Sequence, residues 1–160
     1  GKLSFLIPMV VSLVDVLSVR RLLEEAANQL TQEGIPFSQE YELGVMIETP
    51  SAAIISDLLA PHVDFFSIGT NALTQFTVAA DRENPHVAAL CDARQPAVRR
   101  LIEIAVKNAV RCGVQVSVCG EAAADPSLTR FLLSLGVREL SMAPASLLEI
   151  RHTIQNLRLP

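Results

Sequence analysis

The sequence holds no basic run. Its 13 lysines and arginines stand against 17 acidic residues, for a net charge of −4. Nucleic acid is therefore not expected as the main partner. No apolar stretch is long enough for a membrane span. Residues 3–17 are interrupted by Pro8 and Asp15 and fall short of the ~20 residues a spanning helix needs, so no membrane insertion is expected. The start lacks a charged segment followed by a small-residue cleavage site, which argues against a secretory signal. Cysteine is scarce. Cys91, Cys112 and Cys119 are odd in number and lack metal-ligand spacing, which suits reduced thiols and a cytoplasmic setting. Linkers, low-complexity segments and solenoid-type repeats are absent too, so the 160 residues fit one domain or one large piece of a bigger one. Gly1 stands where a Met would begin a chain, and strand-like sequence follows at once, as expected of a segment of a longer polypeptide.

What is present is apolar and alternating. Half the residues are hydrophobic and the mean hydropathy is +0.37. That is enough for a sizeable core and high for a free-standing domain, so some apolar surface is expected to meet a partner. The order reads strand, helix, strand, helix throughout. Strands are expected at 3–9, 43–48, 63–68, 114–118 and 139–142. The first helix opens at Ser12, with Asp15 as a capping-box partner, and ends at Gly34. Leu13, Val16, Leu17, Leu23, Ala27 and Leu30 mark its apolar face. Thr49-Pro50 sets the N-cap and first residue of a second helix that stops before Pro61. The cleanest helix starts at Pro96. Its Val98, Leu101, Ile102, Ala105, Val106, Ala109 and Val110 follow helical spacing up to Gly113. Further helices are expected at 126–134 and from Pro144, the last with Leu147, Ile150 and Ile154 inward. Five short apolar strands, each followed by a helix, predict an α/β fold with a parallel sheet.

In such folds chemistry collects at the carboxyl ends of the strands. Four strands here deliver polar residues to those ends. Glu48 closes the second strand. A lone carboxylate suits magnesium, or equally a helix start, where negative charge is favoured. Ser67 to Asn71 close the third, with Gly69-Thr70-Asn71 an anion-binding turn or an ordinary strand-to-helix turn. Arg82 can clamp a phosphate or pair with a surface acid. Cys119, before Gly120-Glu121, is a proton donor or nucleophile, or a small buried hydrophobe. Ser141-Met142 closes the fifth strand. His62, His86 and His152 have no partner motif and read as solvated or structural.

The segment Asp64-Phe-Phe-Ser-Ile-Gly-Thr-Asn-Ala-Leu-Thr-Gln-Phe-Thr-Val-Ala-Ala-Asp-Arg82 is the most specific part of the chain. It resembles a signature of the phosphoenolpyruvate-utilising enzymes, above all enzyme I of the bacterial sugar phosphotransferase system. Ile7-Pro-Met9, Gly44-Val-Met-Ile-Glu-Thr-Pro50, Val118-Cys-Gly-Glu121 and Leu140-Ser-Met-Ala-Pro144 extend the resemblance over nearly the whole chain. It implies a partial (β/α)8 TIM barrel, units four to eight of eight, with residues 1–160 the C-terminal part of a phosphoenolpyruvate-binding domain. It implies Glu48 as a Mg2+ ligand, Asn71 and Arg82 as phosphoenolpyruvate contacts, and Cys119 as the acid that protonates the enolpyruvate carbon. The phosphoryl group then passes to a histidine on another domain and on to a phosphocarrier protein for sugar uptake. One residue departs from the pattern. Ala72 stands where the family has a second metal-binding Asp. The resemblance therefore leaves two main expectations, part of an enzyme I-type phosphotransferase or an impaired dimerisation or regulatory module, and a weaker third, a lyase or kinase of the wider phosphoenolpyruvate/pyruvate barrel group with altered metal use. The fragment alone is expected to be inactive, and a homodimer is expected because an open sheet edge invites association.

Overall fold

The computed structural model describes residues 3–158. Five strands form one parallel sheet in sequential order: β1 (Leu3–Ile7), β2 (Tyr41–Ile47), β3 (Phe65–Gly69), β4 (Gln115–Cys119) and β5 (Glu139–Leu140). The helices are α1 (Leu13–Gln32), α2 (Pro50–Ile54), α3 (Ser56–Leu59), α4 (Thr70–Val78), α5 (Pro96–Cys112), α6 (Pro126–Leu135) and α7 (Pro144–Asn156). Strand crossovers of one hand, taken in sequential order, carry every helix to the same side of the sheet.

The register shows that side. Phe5 pairs with Leu43 and Ile7 with Val45. Val45 pairs with Phe66, and Ile47 with Ile68. Phe66 and Ile68 pair in turn with Val116 and Val118. Leu43, Val45, Ile47, Phe66, Ile68 and Val118 are at most 1 % exposed, forming the core under the helices. Alternate residues of the same strands point the other way. That second face holds Ser4, Glu42, Met46, Ser67, Ser117 and Cys119, and is more polar and more open. Each strand thus reads as apolar on one face and mixed on the other, which a strand buried equally on both faces would not.

Polar contacts set how the elements meet. Asp64 precedes β3 and exchanges bonds with Leu43: its N–H donates to the Leu43 carbonyl at 2.7 Å, and its Oδ2 accepts from the Leu43 N–H at 2.8 Å. The Arg20 guanidinium donates twice to the His62 carbonyl, at 2.9 and 2.7 Å, fixing α1 to the turn before β3. Three residues after β2 hold the loop after β1. Glu48 accepts from the Met9 N–H at 2.8 Å. Thr49 donates to the Val10 carbonyl, and Ser51 to the Val11 carbonyl, both at 2.6 Å.

The expected elements form, with four differences. The helix from Pro50 is broken into α2, α3 and a 3-10 turn at Ala60–His62 that runs through Pro61. Thr49 does cap it, accepting from the Ala52 N–H at 3.0 Å. The fifth strand shrinks to Glu139–Leu140. On α7 only Ile150 is buried, and Leu147 and Ile154 are 49 % and 40 % exposed. On α1 only Val16 is buried, although the apolar spacing is helical. Periodicity marks which face is apolar. It does not tell whether neighbouring elements reach that face.

Two predictions follow from these contacts. In the polypeptide that carries this chain, Asp64→Ala leaves the buried Leu43 N–H without its acceptor and lowers stability by about 1–3 kcal/mol, with Asp64→Asn milder, in urea unfolding. Asp15 accepts from the Val11 and Ser12 N–H groups at 3.0 and 2.8 Å. Those bonds hold its carboxyl below its usual value of 3.8. Its contribution is present above that value and disappears as the pH falls through the lowered one. Asp15→Asn should therefore lower the melting temperature near neutral pH and make little difference in strong acid.

Candidate active site

The carboxyl ends of β2, β3 and β4 meet at Gly69. It pairs with Cys119 across the sheet. A Cβ on Gly69 would lie 3.0 Å from the Glu48 Cβ and 3.2 Å from the Met46 side chain. Glu48 and Cys119 therefore flank a tight position, where a side chain would require its neighbours to give by a few tenths of an ångström. Glu48 is 9 % exposed. Its Oε1 takes the Met9 N–H, and Met9 itself holds the left-handed φ of 55°. Such a conformation costs of order 1–3 kcal/mol and is kept only where surrounding contacts determine it. The contact that does so here is the Glu48 carboxylate.

The β3–α4 turn is stapled to the end of β4. Thr70, 1 % exposed, donates through Oγ1 to the Cys119 carbonyl at 2.7 Å. Asn71 Oδ1 accepts from the Glu121 N–H at 2.8 Å. The Asn71 oxygen is thereby engaged, which leaves its Nδ2 hydrogens to face an acceptor. Gly120 lies between the two bonds with a φ of +85°, and a Cβ there would fall 2.6 Å from Asn71 Oδ1 and 2.7 Å from Thr70 Oγ1. Only glycine meets both demands, one conformational and one steric.

The Cys119 thiol is half-buried. Its sulfur accepts from Ser67 Oγ at 3.8 Å and donates to the Ile68 carbonyl at 3.5 Å. Arg82 is exposed and lines a cleft of about 570 Å³ together with Thr70, Asn71, Cys91, Arg94 and Glu121. No hydrogen bond or ion pair engages its guanidinium among the described residues, so the surface ion pair that its sequence context also allows has no partner. Arg94 in the same cleft is committed instead. It grips Asp92 at 2.7–2.9 Å, and that bond holds the Asp92 carboxyl below its usual range.

The structure thus brings Glu48, Asn71 and Cys119 to the rim made by the carboxyl ends of β2, β3 and β4, and Arg82 shares a cleft with Asn71 whose lining includes neither Glu48 nor Cys119. The histidines contribute nothing to this rim. Ala72 sits in the first turn of α4, half-buried. Among the described residues no group of three His, Cys, Asp or Glu stands ready to hold a metal ion. The sequence marks Ser67 and Thr70 as polar strand-end residues and Met9 as part of an apolar run, but does not reveal what they support. Met9, Ser67 and Thr70 hold site residues through contacts spanning 39 to 52 positions along the chain, which no local motif signals.

A parallel α/β sheet with a polar cleft at its carboxyl ends is the class these features define. The chain matches the family profile described as PEP-utilising enzyme, PEP-binding domain, over residues 1–159. It is 42% identical over 157 residues to the phosphoenolpyruvate-protein phosphotransferase of Priestia megaterium, covering 98% of this chain and 27% of that protein. To the protein of the same name from Haloferax volcanii it is 43% identical over 154 residues, covering 96% and 27%. The chain belongs to the PEP-utilising enzyme family, in its PEP-binding domain, and spans about a quarter of the length of these relatives. Among solved structures a citrate lyase from Burkholderia xenovorans LB400 aligns with a TM-score of 0.65 at 20% identity, over 92% of this chain and 47% of that one. RipC from Yersinia pestis aligns with a TM-score of 0.60 at 12% identity, over 94% and 62%. Those two likenesses concern the fold alone.

The staple is testable. Gly120→Ala should cost about 1–3 kcal/mol from the backbone alone, and should break the bond from Glu121 to Asn71. Urea unfolding reads the first effect, and faster hydrogen exchange at the Glu121 amide reads the second.

Proposed function

We propose that the chain is the C-terminal part, units four to eight, of a (β/α)8 barrel that binds phosphoenolpyruvate in a phosphoenolpyruvate-protein phosphotransferase. The observation that carries this reading is the convergence of Glu48, Asn71 and Cys119 on the carboxyl ends of β2, β3 and β4, with Arg82, unpaired among the described residues, in the cleft that Asn71 lines. Sequential strand order and a polar, open second face support the barrel. Arg82 clamps the substrate's phosphoryl group and the Asn71 amide donates to its anionic end. Cys119 gives its proton to the enolpyruvate carbon as the phosphoryl group departs, so that the leaving enolate becomes pyruvate. The phosphoryl group goes to a histidine on another domain and then to a phosphocarrier protein serving sugar uptake in the cytoplasm. A homodimer is part of the same reading.

Magnesium fits this rim with one protein carboxylate. Mg2+ usually keeps several waters and takes one or two carboxylates plus substrate phosphate oxygens. Glu48 offers that carboxylate, with Oε1 already oriented by Met9. When bound, the ion neutralises charge on the transferring phosphoryl group. Ala72 supplies no second carboxylate. This favours, as a second reading, a catalytically impaired module kept for dimerisation or regulation.

The deciding experiment compares Mg2+-dependent transfer from phosphoenolpyruvate to histidine in the intact parent protein and in its Ala72→Asp variant. The enzyme reading expects transfer by the natural form, and a Mg2+ requirement that falls roughly tenfold or more in Ala72→Asp as a charged oxygen ligand is gained. Transfer by Ala72→Asp alone would make the natural site a relic and leave the regulatory reading standing.

A further inference from the structure

Ser67 lies on the open face of β3, opposite Ser117 in the register. It is only 8 % exposed. A buried hydroxyl needs a hydrogen-bond partner. The bond its Oγ makes is to the sulfur of Cys119, at 3.8 Å. A neutral thiol is a weak acceptor. A thiolate is a strong one, because a hydrogen bond to an ionised acceptor is roughly twice as strong as a neutral one. The Ser67 hydroxyl is thus poorly satisfied before proton transfer and well satisfied after it. The Ile68 carbonyl acts in the opposite sense: it accepts from the thiol at 3.5 Å and so orients the proton before it leaves. Thr70 fixes the backbone of the same cysteine through its carbonyl. The sulfur is consequently the one part of Cys119 whose hold changes with its charge.

We propose that Ser67 is a positioning residue for Cys119, aiming its sulfur and steadying the thiolate left by proton transfer. The inference rests on the reading of Cys119 as the proton donor. In that step the S–H bond breaks, a C–H bond forms on the enolpyruvate carbon, and the electron pair stays on sulfur, where the Ser67 O–H donates to it. Water later returns the proton. Ser67 makes no contact with the substrate in this scheme. Its effect is differential, stronger in the charged state than in the neutral one, and so it appears in turnover rather than in substrate affinity.

The test uses the intact polypeptide that carries this chain. Ser67→Ala should lower kcat roughly tenfold, the value of one hydrogen bond to a charged group, while KM for phosphoenolpyruvate stays within about twofold. The shape-matched pair Ser67→Thr and Ser67→Val separates hydroxyl from packing: Thr should keep most of the rate and Val should lose it. Ser117→Ala, whose hydroxyl bonds the Phe66 carbonyl at 3.4 Å and not the sulfur, is the control and should match the parent. A second readout needs no turnover. In a Cys91→Ser, Cys112→Ser background, alkylation of Cys119 by iodoacetamide at one fixed pH should slow in Ser67→Val relative to Ser67→Thr. Equal rates for that pair in both readouts overturn the proposal, as does an equal loss in Ser117→Ala. A parent-like rate in Cys119→Ala instead sinks the proton-donor reading and the catalytic half of this proposal with it. Alkylation then still decides whether Ser67 governs the sulfur.

Discussion

The rim depends on the close approach of the Cys119–Glu121 backbone to the β3–α4 turn. Two bonds of 2.7 and 2.8 Å, from Thr70 to the Cys119 carbonyl and from the Glu121 N–H to Asn71, draw the two segments together. Gly120 permits this because it has no side chain to place between them. From that contact follow the direction of the Asn71 amide, the placement of the Cys119 sulfur beside Ser67, and one wall of the cleft that Arg82 lines. Pairing in the sheet alone would align Gly69 with Cys119. It would not fix which way either turn leaves its strand.

A second constraint acts on the other side of Gly69. Burying a carboxylate is costly unless donors meet it, and Glu48 meets the Met9 N–H. The energy runs in both directions: the carboxylate gains a donor, and Met9 is held in a left-handed conformation that its side chain disfavours. Thr49 and Ser51 fasten the following residues of the same loop. If Glu48 served only to start α2, a surface position at the helix end would suffice. A buried position, one oxygen tethered and a strained partner give more order than a helix start requires, and that excess is what favours the metal-ligand reading.

Much of this was legible in the sequence, for physical reasons that differ by feature. Five strands and their helices were readable because apolar spacing and caps are local: Thr49 before Pro50, and Pro96 at the start of α5. The polar strand ends were readable because a parallel α/β order by itself places Glu48, Asn71 and Cys119 at one edge. Their supports were not. Ser67 reads as one more polar residue at a strand end until β4 is laid beside β3 in register, and Met9 reads as the end of an apolar run until Glu48 reaches it. The break after Ile54 was also hidden. The sequence continues in helix-forming residues there, but the structure places Ile55 at a φ of −95° and ψ of 16°, outside the helical region. The apolar faces of α1 and α7 were legible as faces but not as buried or exposed, because burial depends on neighbours and not on spacing.

The distribution of burial bears on how far the rim can be trusted to hold its own shape. α5 buries Val98, Ile102, Ala105, Val106 and Ala109 against α2 and α3, and against the central strands. By contrast α1, three residues longer, buries Val16 alone, and β1 leaves Leu3, Phe5 and Leu6 36–45 % exposed. The apolar core is therefore concentrated under β2, β3 and β4, and thins toward both edges of the sheet. Glu48, Ser67, Asn71 and Cys119 all stand on those three strands or on the residues that directly follow them. Their mutual geometry is fixed by the three best-packed strands of the five, where removing a methylene is felt most. Arg82 is the exception. It lies beyond α4, exposed and without a partner among the described residues, so its position is set by the loop rather than by the core. Of the three strand-end residues only Asn71 shares the cleft that Arg82 lines, so the well-packed strands and the exposed loop meet at the β3–α4 turn.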